Sequence, residues 1–179
     1  MNRRILKIFV LCFVLLLTAS FAQKIAYVES QRVLQNFQEW TDSQNKLQEI
    51  RDGYQSEYDQ MVKELDQMMA DIQSQSLLLS EEKKQQKLKD VQDRQLSIER
   101  FKYEKLGPEG EYYKKNLELT KPIIDKINKV IQEIGEREEY DFILDASSGA
   151  LLHALPKYDI TDQVLEELNK GVTSTNKSQ

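Results

Sequence analysis

The chain has 179 residues, with 25 basic against 30 acidic side chains and a net charge of −5. That suits one modest domain with an extension and is too short for a large multidomain enzyme. Six glycines and three prolines exclude a collagen-like or Pro/Gly-rich chain, and the acidic balance argues against nucleic acid, because phosphate binding needs clustered Lys and Arg.

Arg3, Arg4 and Lys7 precede an unbroken apolar run from Ile8 to Leu17, and Ser20 and Ala22 put small residues at −3 and −1 of a cut before Gln23. The pattern predicts a secretory signal peptide over 1–22, cleaved after Ala22, and export of the mature chain. The run is shorter than the ~20 residues a membrane span needs. A lipoprotein signal does not fit, because Leu11 stands where a small residue is expected before Cys12. Cleavage leaves 22 basic and 30 acidic residues, a net charge of −8, and removes the single cysteine. The mature chain then has no disulfide, thiolate metal site or cysteine nucleophile.

Residues 23–45 are expected to start the body. Lys24 to Val28 reads as a strand, and Ser30 is placed to cap a short helix carrying Val33, Leu34 and Phe37. A long arm follows, assigned to 46–106. Between Gly53 and Gly107 lie 53 positions without Gly or Pro, filled mainly by good helix formers. Leu47, Ile50, Tyr54, Tyr58, Met61, Leu65, Met68 and Ile72 repeat every three or four residues. That is one narrow apolar stripe near coiled-coil spacing. It needs one neighbour and otherwise stands in water.

Leu77, Leu78 and Leu79 interrupt the period, and Ser80 with Glu81 and Glu82 signals a new helix start. The second helix carries Leu88, Val91, Ile98 and Phe101 near heptad spacing. Residues 41–76 hold eight acids and three bases, whereas 81–106 hold eight bases and six acids. Opposite charge favours antiparallel pairing, at about 0.2–1 kcal/mol per exposed pair. The expectation is a protruding helical hairpin.

Residues 107–171 return to the body. Gly107, Pro108 and Gly110 mark a break, and Leu117, Ile123, Ile124, Ile127, Val130, Ile131 and Ile134 give a broader apolar face. Pro122 could start a helix segment or bend one, and Gly135 lies near the expected helix end. Tyr140 to Asp145 reads as a strand with Tyr140, Phe142 and Leu144 on one face. Ser147–Gly149 is a turn, and Ala150 to Leu155 is expected to return as a third strand. Thr161 is placed to cap a last helix stopped at Gly171, leaving 172–179 as a disordered tail. The fold class is α+β, mainly α. So few strands make a poor independent fold, and oligomerisation is the simplest remedy. Ile25, Tyr27, Phe142, Leu144, Leu151, Ile127 and Ile131 are the residues expected in the body core or between copies.

The stretches KIAYVESQRVL at 24–34, GPEGE at 107–111, KPIIDKINKVI at 121–131 and YDFILDASSGALLHALPKYDITDQVLEEL at 140–168 resemble the Skp/OmpH family of periplasmic chaperones. The resemblance spans essentially the whole mature chain. It implies a homotrimer with a shared β body and three helical arms around a cavity. It also implies binding of unfolded outer-membrane β-barrel proteins without ATP. The best-known members are strongly basic, a charge linked to lipopolysaccharide. At −8 this chain differs, so binding to lipopolysaccharide or a membrane surface is not expected.

Met61, Met68 and Met69 are flexible and polarizable, and with Tyr58 and the tip residues Leu77, Leu78 and Leu79 they form the expected client surface. The alternative for the stripe is ordinary hairpin seam, and the alternative for the chain is a non-enzymatic coiled-coil adaptor or spacer of the cell envelope. No enzyme is expected. His153 is the sole histidine and lacks organised partners, and Asp141 and Asp145 read as strand-end polar residues. No metal and no cofactor are expected.

Overall fold

The computed structural model describes residues 23–175; the expected signal peptide at 1–22 and the last four residues lie outside them. In chain order the elements are β1 (Ile25–Val28), α1 (Ser30–Asn36), α2 (Gln38–Gln75), α3 (Glu81–Phe101), a π-helical turn (Lys102–Leu106), α4 (Glu111–Arg137), β2 (Phe142–Asp145) and α5 (Thr161–Thr175). The architecture is α+β and mainly helical.

Helix α2 runs from the body into the arm without interruption. Its 38 residues span about 57 Å at 1.5 Å per residue. Only Ser43 and Leu47 are fully buried along it, both in its first third. Farther out the stripe residues Tyr54, Tyr58, Met61, Leu65, Met68 and Ile72 are half-buried, sharing one neighbour. That neighbour is α3, which runs back antiparallel: Arg94 pairs with Glu64, and Tyr54 meets Phe101 edge-on, 6.5 Å between ring centres. Val91 and Ile98 are the buried residues of α3, while Leu88, expected in its seam, is exposed. Ser80 caps α3, its hydroxyl accepting from the Lys83 N–H at 3.4 Å, with Glu81 and Glu82 in the first turn.

In the body, β1 and β2 pair in parallel, Ile25 opposite Phe142 and Val28 opposite Asp145. A parallel pair needs a crossover connection, and here the whole arm supplies it. One face of the sheet packs on α1, α4 and α5 through Ala26, Val28, Val33, Phe37, Ile123, Ile127, Ile134, Ile160, Val164 and Leu168. Gly135 is two residues inside the end of α4. A Cβ there would lie 3.2 Å from the Ile143 side chain, so this glycine allows close helix–sheet approach. Pro122 sits inside α4 and does not end it.

Several expectations are corrected. Residues 150–155 form no strand: β2 pairs with β1, and among the described residues no further strand offers these residues a partner. The second strand starts at Phe142 rather than Tyr140, and just ahead of it the Asp141 N–H bonds the Lys24 carbonyl at 2.8 Å. Ser30 does not cap α1; its hydroxyl donates instead to Asp145 Oδ2 at 2.7 Å, tying the helix start to the end of β2. Thr161 does not cap α5 with its hydroxyl. That oxygen accepts from the Glu29 N–H at 3.0 Å, and Asp159 Oδ1 takes the Thr161 N–H at 2.8 Å. Helix α5 passes through Gly171 to Thr175, because one glycine weakens a helix by only about 1 kcal/mol and need not end it. Residues 172–175 are therefore helical rather than tail.

Candidate functional site

The arm carries the residues expected to meet a client. Gln75 closes the tip by accepting from the Leu78 and Leu79 N–H groups at 2.8 and 3.1 Å. With the turn so held, Leu77 and Leu78 project outward at 97% and 87% exposure, while Leu79 is half-buried. Met69 leaves the seam and is 50% exposed. Tyr58, Met61 and Met68 lie at the seam edge, half-buried. A cleft of about 560 Å³ opens between the helices, with Met61 and Phe101 as its apolar wall and Glu57, Glu64, Arg94, Arg100 and Glu104 around it. The distal hairpin is thus a polar rod with adaptable apolar positions on and beside one stripe.

At the base of the arm sits an elbow that the sequence did not disclose beyond its glycines. The last turn of α3 widens into the π-helical turn, and the Gly107 N–H bonds the Tyr103 carbonyl at 3.1 Å. A Cβ on Gly107 would lie 2.3 Å from that carbonyl oxygen, so only glycine fits. Lys105 Nζ donates to Glu111 Oε2, which also accepts from the Tyr54 hydroxyl at 3.1 Å. The Lys105 hydrogen bond, then that of Tyr54, hold the Glu111 carboxyl below its usual range. The same contact with Glu111 raises Lys105. Burial first, and the bond to Glu111 second, raise the Tyr54 phenol. Three segments, α2, the π turn and α4, meet at this one carboxylate.

The second feature is the outward face of the sheet. Ile25, Phe142 and Leu144, expected in the core or between copies, are exposed, with Phe142 at 53%. Tyr27 is half-buried, and burial followed by Asp159 and Glu29 raises its pKa. Ile25, Tyr27 and Leu144, with Leu151, Leu155 and Tyr158, line an apolar cleft of about 600 Å³, and Phe142 lies outside it. Of the remaining core candidates, Ile127 is buried in the body and Ile131 packs against it. His153 lines the open cleft rather than any polar constellation. Asp141 and Asp145 hold backbone: Asp141 Oδ2 accepts from the Lys24 N–H at 2.7 Å, and Asp145 from Ser30 and Ser147. Burial works against the Asp145 carboxylate, but those hydrogen bonds outweigh it and lower its pKa. Among the described residues no group of three His, Cys, Asp or Glu could hold a metal, and no helix is long and apolar enough to cross a membrane.

Comparison with known proteins agrees with this architecture. A family model described as outer membrane protein (OmpH-like) matches residues 24–168. An uncharacterized protein from Aquifex aeolicus (strain VF5) is 25% identical over 166 residues, covering 93% of this chain and 98% of its own length. A crystal structure from Caulobacter crescentus CB15, provisionally described as an OmpH-like outer membrane chaperone, superposes with a TM-score of 0.73 at 17% identity. That match covers 83% of this chain and 85% of the other.

Proposed function

The chain belongs to the OmpH-like outer membrane protein family, and from that premise we propose that it is an ATP-independent periplasmic holdase. It binds unfolded outer-membrane β-barrel proteins before they insert and keeps them from aggregating. The observation that carries this reading is the arm: α2, about 57 Å long by its residue count, runs out of the body to a tip where the chain turns back as α3, and Met69, Leu77 and Leu78 are left uncovered among mainly polar side chains.

An unfolded β-barrel presents alternating apolar side chains in no fixed order. Its binder needs many weak, adaptable contacts rather than one shaped pocket. Met61, Met68, Met69 and Tyr58 supply such contacts along the shaft, and Leu77, Leu78 and Leu79 supply them at the end. Three copies joined through the open face of the sheet would place three arms around one client. Linked weak contacts then slow escape by raising local concentration. The apolar cleft at Ile25, Leu144 and Leu151 supports this assembly, because an uncovered apolar face of this kind marks an interaction surface. Binding needs no nucleotide. Release follows when the barrel buries its apolar surface in the membrane, where closed strands satisfy the backbone.

The test is dilution of a urea-unfolded outer-membrane barrel into buffer with increasing amounts of this protein. A holdase keeps turbidity down at near-stoichiometric amounts. A coiled-coil adaptor for one folded partner leaves the aggregation of the unfolded barrel unchanged.

A further inference from the structure

The start of the mature chain carries chemistry that client holding does not use. We propose that Gln23 is a modification site: its new α-amino group attacks its own side-chain amide and closes a neutral pyroglutamyl lactam. This rests on the export reading, in which the cut after Ala22 makes Gln23 the first residue.

The reaction balances within one residue. The amine nitrogen attacks Cδ, the N–Cδ bond forms and the Cδ–Nε2 bond breaks. Ammonia leaves with the proton that the amine gives up, and nothing is oxidised or reduced. Glutamine has the length this step needs, because attack at Cδ closes an unstrained five-membered ring. Nucleophile and amide sit on the same Cα, so proximity replaces a second reactant. No nucleotide, metal or acceptor molecule takes part.

The structure leaves the reacting groups free and fixes the chain just behind them. Strand β1 begins at Ile25, so Gln23 stands ahead of the ladder. Gln23 is exposed, and among the described residues no hydrogen bond holds its side-chain amide. Lys24, by contrast, is pinned. Its N–H donates to Asp141 Oδ2 at 2.7 Å, its carbonyl accepts from the Asp141 N–H at 2.8 Å, and its Nζ lies 4.5 Å from the centre of the Tyr140 ring. Ring closure leaves the peptide bond between Gln23 and Lys24 intact, so the Lys24 contacts survive it and the sheet gives up nothing.

The position also gives the modification a consequence. Gln23 lines the apolar cleft beside Ile25, Leu144 and Leu151, and no Asp or Glu is among the residues lining that cleft. An ordinary α-amino group is largely protonated at neutral pH. Such a charge would meet no carboxylate in the cleft, and an unpaired charge is costly to cover. The lactam carries no charge, so it leaves the open face of the sheet apolar up to its rim.

The experiment expresses the full chain, collects the exported protein from the periplasm, and measures its intact mass when fresh and after incubation at growth temperature. The expected mass is that of residues 23–179 less one ammonia, about 17 Da. N-terminal sequencing of this species should be blocked, and pyroglutamyl peptidase acting on the unfolded chain should restore a sequence that starts at Lys24. Gln23→Thr has no amide to attack, so it should keep the full mass and sequence directly from residue 23. Circular dichroism verifies that this variant folds. A chain that begins at Gln23 and keeps its full mass after incubation overturns the proposal and leaves the cut after Ala22 standing. A chain that begins at any other residue overturns both. The same loss of about 17 Da from Gln23→Thr places the reaction elsewhere in the chain and also overturns the proposal.

Discussion

Leu47 and Met69 share one helix and should respond differently to truncation. Leu47 is buried at the root of the arm, so Leu47→Ala should lower stability by about 2–5 kcal/mol in urea unfolding. Met69 is half-exposed, and Met69→Ala should stay within about 0.5 kcal/mol while weakening client retention. Glu111 gives the pH-dependent case. Its pKa is lower folded than unfolded, so its contribution is complete above the unfolded value and is lost as pH falls through the folded one. Glu111→Gln should flatten that acid-side loss, read as urea midpoints measured from neutral pH downward. Sequence periodicity identified the arm stripe because only one face of that rod is apolar. It did not choose the inward face of the sheet. Ile25, Ala26, Tyr27 and Val28 are apolar on both sides, and the body turned Ala26 and Val28 inward while leaving Ile25 exposed. The Ser30 hydroxyl was misread for a related reason: Asp145 lies 115 positions away in sequence, and no local rule announces it.

Among the elements, the two long helices were legible in composition and period, and the turn between them in the leucines and Ser80. The π-helical turn was not, since its residues, Lys102–Leu106, are ordinary helix formers and only the close approach of Gly107 to Tyr103 reveals the constraint. The parallel sheet was hidden because its strands are separated by the whole arm. Two glycines separate these physical roles. A methyl group on Gly53 meets nothing within 4 Å, so Gly53→Ala should stabilise α2 by about 0.5–1 kcal/mol. Gly107→Ala would press Cβ against the Tyr103 carbonyl and should lower stability by about 1–3 kcal/mol, the scale of overpacking. Thermal unfolding of the two variants should move in opposite directions.

At the scale of the molecule, a two-stranded sheet with one apolar face open is an incomplete body, and the proposed trimer completes it. Light scattering should give three times the mature mass, and Leu144→Asp should reduce it to that of a single chain by burying a charge in the contact. The arms and the body then divide the work: the body assembles and the arms hold. That division is tested most directly by a photo-crosslinking amino acid placed in turn at positions 58, 69 and 153, with a urea-unfolded outer-membrane barrel as client. Crosslinks to the barrel from 58 and 69 but not from 153 are the predicted result. Crosslinks from 153 alone, or from none of the three while the barrel stays soluble, would contradict the account.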